Sequence, residues 1–179
     1  ENYVEKKTNE NQYINNLTRI HTEITNNLNF ADGYLDSTNE FFKITDDLMN
    51  LTTKKGASES YDGIFKIIDS EPTPFEQKNF KSLSQNDFIN NSLFSDIFHV
   101  YSLYDKIETQ IEIPKKSLNE YYFNYFSIYS KNIYNSNEIL QNYVDLNYLY
   151  SVTLKNLPRI QLNIDDVKGT SNRILKAIE

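Results

Sequence analysis

With 179 residues, 39 % of them hydrophobic and 14 % aromatic, the chain can bury a core and lacks the composition of a disordered segment. Its net charge of −7 and dispersed lysines provide no basic face, which excludes nucleic acid as a favoured partner. Cysteine is absent, so disulfides, thiolate catalysis and cysteine-based zinc sites are excluded, and no apolar run approaches the roughly 20 residues of a membrane helix.

Glycine and proline number four each, as befits a mostly helical chain with few tight turns. The first element is the longest. Ile14, Leu17, His21, Ile24, Leu28, Ala31, Leu35, Thr38, Phe42, Thr45 and Met49 step by three and four, which predicts one amphipathic helix over about residues 5–51. Gly33 lies inside it and costs about 1 kcal/mol relative to Ala, which makes it the point for a bend or break. Thr52 to Ser60 reads as a loop. Two short helices follow in the 60–85 region: Tyr61 to Ile68, closed by Glu71-Pro72-Thr73-Pro74, and Phe75 to Leu83 with Phe75, Phe80 and Leu83 inward.

Asn90 or Asn91 can cap the next helix, whose seam is Phe94, Ile97, Tyr101, Tyr104, Glu108 and Ile111. Pro114 is expected to interrupt it. Ser117-Leu118-Asn119-Glu120 matches a capping box and predicts a new helix carrying Leu118, Tyr122, Tyr125, Tyr129 and Ile133. After a turn at Asn135-Ser136-Asn137 comes a helix with Leu140, Tyr143, Leu146, Tyr150, Leu154 and Leu157, closed by Leu157-Pro158. Asn163 then caps a last helix with Ile164, Val167, Ser171, Ile174 and Ile178. The fold class is therefore all-α: an antiparallel helical bundle forming a single domain over residues 1–179.

Chemistry is sparse along this chain. A lone histidine on a helix seam, His21 or His99, ordinarily packs with one ring nitrogen hydrogen-bonded. No pair of histidines has metal-ligand spacing, and Asp96-x2-His99 lacks a partner motif. Asp46-Asp47, Asp165-Asp166 and Glu108/Glu112 read as solvated acids rather than an acid–base pair. No phosphate loop or nucleophile elbow is present. Ten of the fourteen tyrosines lie between Tyr101 and Tyr150, and those on the seams read as core. Tyr121, Tyr134 and Tyr148 fall off the seams and are the candidates for an exposed contact surface. Neither a catalytic residue nor a cofactor or metal site is assigned.

Several stretches resemble a family of small single-span membrane proteins of Bacteroidota with a periplasmic helical domain. They are Gln12-Tyr13-Ile14-Asn15-Asn16-Leu17 with Ile24, Leu28 and Leu35; Phe80-Lys81-Ser82-Leu83; Phe88-Ile89-Asn90-Asn91 with Leu93-Phe94, Tyr101 and Tyr104; and the closing Ile174-Leu175-Lys176-Ala177-Ile178-Glu179. This chain departs from the family in having Ser84-Gln85 where a glycine is usual, and it contains no membrane segment.

The resemblance implies a non-enzymatic extracytoplasmic domain on the periplasmic side of the inner membrane, acting in protein interaction or envelope sensing. A membrane contact would run only through an N-terminal anchor upstream of Glu1. The partner expected is a protein or a small ligand, and helix 1 allows a homodimer. The alternative is the ligand-binding sensor region of a histidine kinase or chemoreceptor.

Overall fold

Apolar residues recurring by threes and fours leave the backbone little choice but helix, and the computed structural model, which describes residues 3–53, 72–83, 91–129 and 136–179, is mostly helical over those residues. Among the described residues there are four: α1 (Tyr3–Thr53), α2 (Lys78–Lys81), α3 (Asn91–Tyr129) and α4 (Ser136–Ile178), with no strand. The expected all-α bundle with a long N-terminal helix is thus the observed one. The short helix expected at 75–83 is α2. The one expected at 61–68 and Asn135 lie outside the described residues, and Ser136 and Asn137, expected as part of a turn or cap, open α4.

Both prolines expected to end helices sit inside them. Pro114 lies within α3 and Pro158 within α4. Each removes one amide donor and strains the preceding turn, at about 3 kcal/mol in an isolated helix. Packing offsets that cost. In α3, Ile111, Pro114, Leu118 and Tyr121 are all buried, spaced three, four and three, so the stripe passes through the proline without a change of phase. In α4, Leu146, Leu149, Thr153, Asn156, Ile160, Asn163, Val167, Thr170 and Ile174 form one buried three-four stripe across Pro158. Ser117 and Asn163 are consequently interior helical residues, not caps.

The stripe of α1 is turned relative to expectation. Ile20, Ile24, Asn27, Ala31, Tyr34, Thr38 and Thr45 are buried, whereas His21, Leu28, Leu35 and Phe42 are only half-buried and Ile14 is exposed. Gly33 does not break the helix. Several hydroxyls on these stripes bond back to their own helix: Thr38 and Thr45 donate at 2.7 Å to the carbonyls of Tyr34 and Phe41, and Thr153 at 2.9 Å to that of Leu149. That local bond lets a polar residue sit at a buried position without an orphaned donor.

Helix packing resolves into two compact units. One comprises Glu1–Gly33, Thr73–Ile107 and Asn163–Glu179, the other Tyr34–Pro72 and Glu108–Leu162. The first has a core of Ile20, Ile24, Leu93, Ile97, Val100, Ile164, Val167 and Ile174, and also holds the non-helical stretch leading into α2. In the second, Tyr34, Ile44, Ile111, Leu118, Tyr121, Leu146 and Leu149 are buried, and Phe42 and Tyr150 stack at 6.4 Å.

Because Ser117 caps nothing, Ser117→Ala should change unfolding free energy in urea by less than about 0.5 kcal/mol. A loss near the roughly 1 kcal/mol of a true N-cap would mean that α3 is broken at Pro114.

Candidate functional site

The densest set of specific contacts in the first unit surrounds residues 73–83, a strap lying against α1 and α3. Glu23 is its anchor. This glutamate is 1 % exposed on the buried stripe of α1. Its carboxylate accepts from the Tyr101 hydroxyl at 2.5 Å, from the Asn79 amide at 2.8 Å and from the Phe80 amide at 3.3 Å. A buried carboxylate without such donors would cost several kcal/mol. The two amides belong to the first turn of α2, whose own N-cap residue, Gln77, makes no side-chain cap bond. Glu23 therefore caps α2 from another helix, placing negative charge where the free N–H groups point.

One turn along α1, Asn27 clamps the strap backbone from both sides. Its Oδ1 accepts from the Glu76 amide at 2.7 Å, and its Nδ2 donates to the Glu76 carbonyl at 2.8 Å. Asn26 donates to the Glu76 carboxylate at 3.0 Å. From the strap, Gln77 donates to Asp105 of α3 at 2.8 Å. The strap runs antiparallel to α1, since Glu76 meets Asn27 and Asn79 meets Glu23.

Two rings complete the seat. Phe75 stacks on Tyr104 with centroids 4.4 Å apart, and Phe80 stacks on Tyr101 at 4.1 Å. Tyr101 and Tyr104 meet edge to face at 5.2 Å. Each such pair adds about 0.5–1.5 kcal/mol beyond the area it buries. The aromatic surface continues outward through Phe98, which is 57 % exposed and lies 6.2 Å from Phe80 and 6.3 Å from Phe94.

Tyr101 and Tyr104 are one helical turn apart, yet their hydroxyls differ. Burial pushes the acidity of Tyr101 far out of its ordinary range, and donation to Glu23 pushes it further. Tyr104 is fully buried, and among the described residues neither its hydroxyl nor that of Ser171 has a well-aligned hydrogen-bond partner, although Ser171 and Asn27 lie beside it. Burial raises Tyr104 to about 12, with the neighbouring polar groups of Ser171 and Asn27 pulling the other way.

A second cluster links α3 to α4 in the same unit. His99 Nε2 lies 2.9 Å from Asp166, both half-exposed. Asp166 also accepts from Thr170 at 3.1 Å, and Arg173 donates to Thr170 at 2.9 Å. The bond from His99 is the main cause that lowers the Asp166 carboxyl below its usual range, while burial opposes it. Lys168 pairs with Asp32 of α1 nearby. In the open, such pairs contribute up to about 1 kcal/mol each. Of the two histidines, then, His99 is hydrogen-bonded as expected but faces solvent, and His21 is half-buried on α1.

The tyrosines proposed as a contact surface separate. Tyr148 is 64 % exposed on α4. Tyr121 is 2 % exposed, because the buried stripe of α3 runs through Leu118 and Tyr121, and so it cannot serve as surface in this packing. Tyr134 lies outside the described residues. Among the described residues no three His, Asp or Glu converge as a metal site.

What sequence reading missed is the Glu23–Asn27 pair. Two polar residues four apart within an apolar stripe were the available signal. No family model, no curated protein and no solved structure matches this chain.

Two conservative substitutions should behave oppositely. Tyr101→Phe takes a donor from buried Glu23 and should cost about 1–3 kcal/mol in urea unfolding at neutral pH. Tyr104→Phe removes a hydroxyl that lacks a well-aligned partner and should be neutral or mildly stabilising. The pH dependence has a definite sign. Tyr104 is raised in the folded state, from 10.0 to about 12, so its contribution is complete below pH 10 and is lost as pH climbs toward 12. Alkaline destabilisation over that window should shrink in Tyr104→Phe; an unchanged profile would refute the assignment.

Proposed function

We propose that the chain is a non-enzymatic interaction domain, membrane-tethered and extracytoplasmic, that engages a partner protein through the outward face of α4 in the second unit. The observation that carries the interaction reading is a pair of exposed apolar side chains one turn apart. Val144 is 51 % and Tyr148 64 % exposed on one face of α4, and Leu162, 69 % exposed, returns to that face about four turns on, past exposed Lys155 and Arg159. Phe123 on α3 is 77 % exposed in the same unit. Aromatic and aliphatic groups standing in water at such spacing are typical anchors for a partner, with Tyr148 as the rigid amphipathic centre.

The tether and the compartment rest on the resemblance to periplasmic Bacteroidota domains. No described helix is long and apolar enough to cross a membrane, so on this reading the anchor belongs to sequence outside these 179 residues.

A photo-crosslinking residue in place of Tyr148, in the full-length gene product expressed in its own cells, should capture one discrete protein in the membrane fraction. The same group at exposed Asn29 of α1 should not, and Val144→Asp should abolish the Tyr148 adduct. A product confined to the cytosol would defeat the tethered reading, and crosslinking no stronger at 148 than at 29 would defeat the contact face.

A further inference from the structure

We propose that the seat of the strap is a peptide-binding groove occupied in cis, and that it accepts a partner segment presenting two aromatic side chains five residues apart, where an extended stretch turns into a helix. This inference concerns the first unit and stands apart from the α4 face. Three observations carry it. First, α2 has only four residues and borrows its cap from Glu23, so the groove imposes the strap's shape, as a receptor does on a bound peptide. Second, the groove reads backbone more than side chain. Asn27 pairs with the amide and carbonyl of Glu76, and Glu23 takes the amides of Asn79 and Phe80. Any chain of the same path satisfies those groups, which leaves selectivity to the ring positions over Tyr104 and Tyr101 and to the donor that Gln77 offers Asp105.

Third, the aromatic floor extends past the strap. Phe98 stands 57 % exposed beside Phe80 and offers an incoming ring a first foothold before the strap leaves. The groove's two acids are met by uncharged donors of the strap, Glu23 by the Asn79 and Phe80 amides and Asp105 by the Gln77 side chain. A displacing segment therefore adds a hydrogen-bond donor at the Gln77 position to its two rings. Polar anchors in a buried stripe are what an exchangeable contact needs: they fix register, and both surfaces remain tolerable in water after release.

The test uses a fluorescent peptide of residues 73–83 and the whole chain. Phe75→Ala with Phe80→Ala empties the ring seats while leaving α1 and α3 intact. By anisotropy, the peptide should saturate this variant with affinity at least about tenfold above wild type, because the tethered strap competes in wild type. A peptide with both phenylalanines replaced by alanine should not bind, and Phe98→Ala in the variant should weaken binding by about threefold or more. Absence of saturable binding, with helicity by circular dichroism unchanged, overturns the proposal, as does equal affinity for variant and wild type. Should the variant lose its helicity, hydrogen exchange in wild type decides. The Asn79 and Phe80 amides should exchange at least about tenfold faster than those of Ile97 and Val100, reporting strap opening without unfolding. Exchange of all four at one common rate overturns it.

Discussion

A carboxylate on the buried stripe of a long helix constrains everything near it. Glu23 cannot sit 1 % exposed without donors, and neither α1 nor the aliphatic core around it supplies them. The donors come from two places distant in sequence, the Tyr101 hydroxyl of α3 and the amides of Asn79 and Phe80. Satisfying that one group therefore brings α1, α3 and the strap to a common point. Each partner is in turn stabilised: the single turn of α2 gains a cap, and Tyr101 gains an acceptor that keeps its buried hydroxyl paired. Truncating one member strands the others, which is why such a network is costly to cut singly.

Polar residues recur along the other stripes at lower cost. Thr38, Thr45 and Thr153 bond back to the preceding turn, and Asn156 donates to the Val152 carbonyl at 2.8 Å. These residues bury without needing a partner from elsewhere. Glu23 and Asn27 differ because their partners lie on another segment, so they specify a contact where the threonines merely tolerate one. The contrast explains why the recognisable geometry concentrates in the strap region.

This division also governs what could be read in advance. Helix class and the length of α1 follow from three-four spacing, and both were legible. The facing of α1 was not. Ile24, Ala31, Thr38 and Thr45 of the expected seam do lie inward, but Leu28, Leu35 and Phe42 look more apolar than Asn27, and the strap's bonds to Asn27 turn the stripe toward it. Pro114 and Pro158 read as helix ends by local rule, although Ile111, Pro114, Leu118 and Tyr121 keep one phase across the first of them. The same phase takes Tyr121 into the core, while Tyr148 stays outside. The ring pairs Phe75–Tyr104 and Phe80–Tyr101 depend on chain reversal, in which later strap residues meet earlier residues of α3. Periodicity within one segment carries no information about that pairing.

If Glu23 organises the unit, its bond to Tyr101 must carry energy of its own rather than mark two groups brought together by unrelated packing. A double-mutant cycle in urea over Glu23→Gln and Tyr101→Phe isolates that term. The account predicts a coupling of about 1 kcal/mol or more, the double variant losing less than the two single losses combined. Additivity within about 0.3 kcal/mol would contradict it.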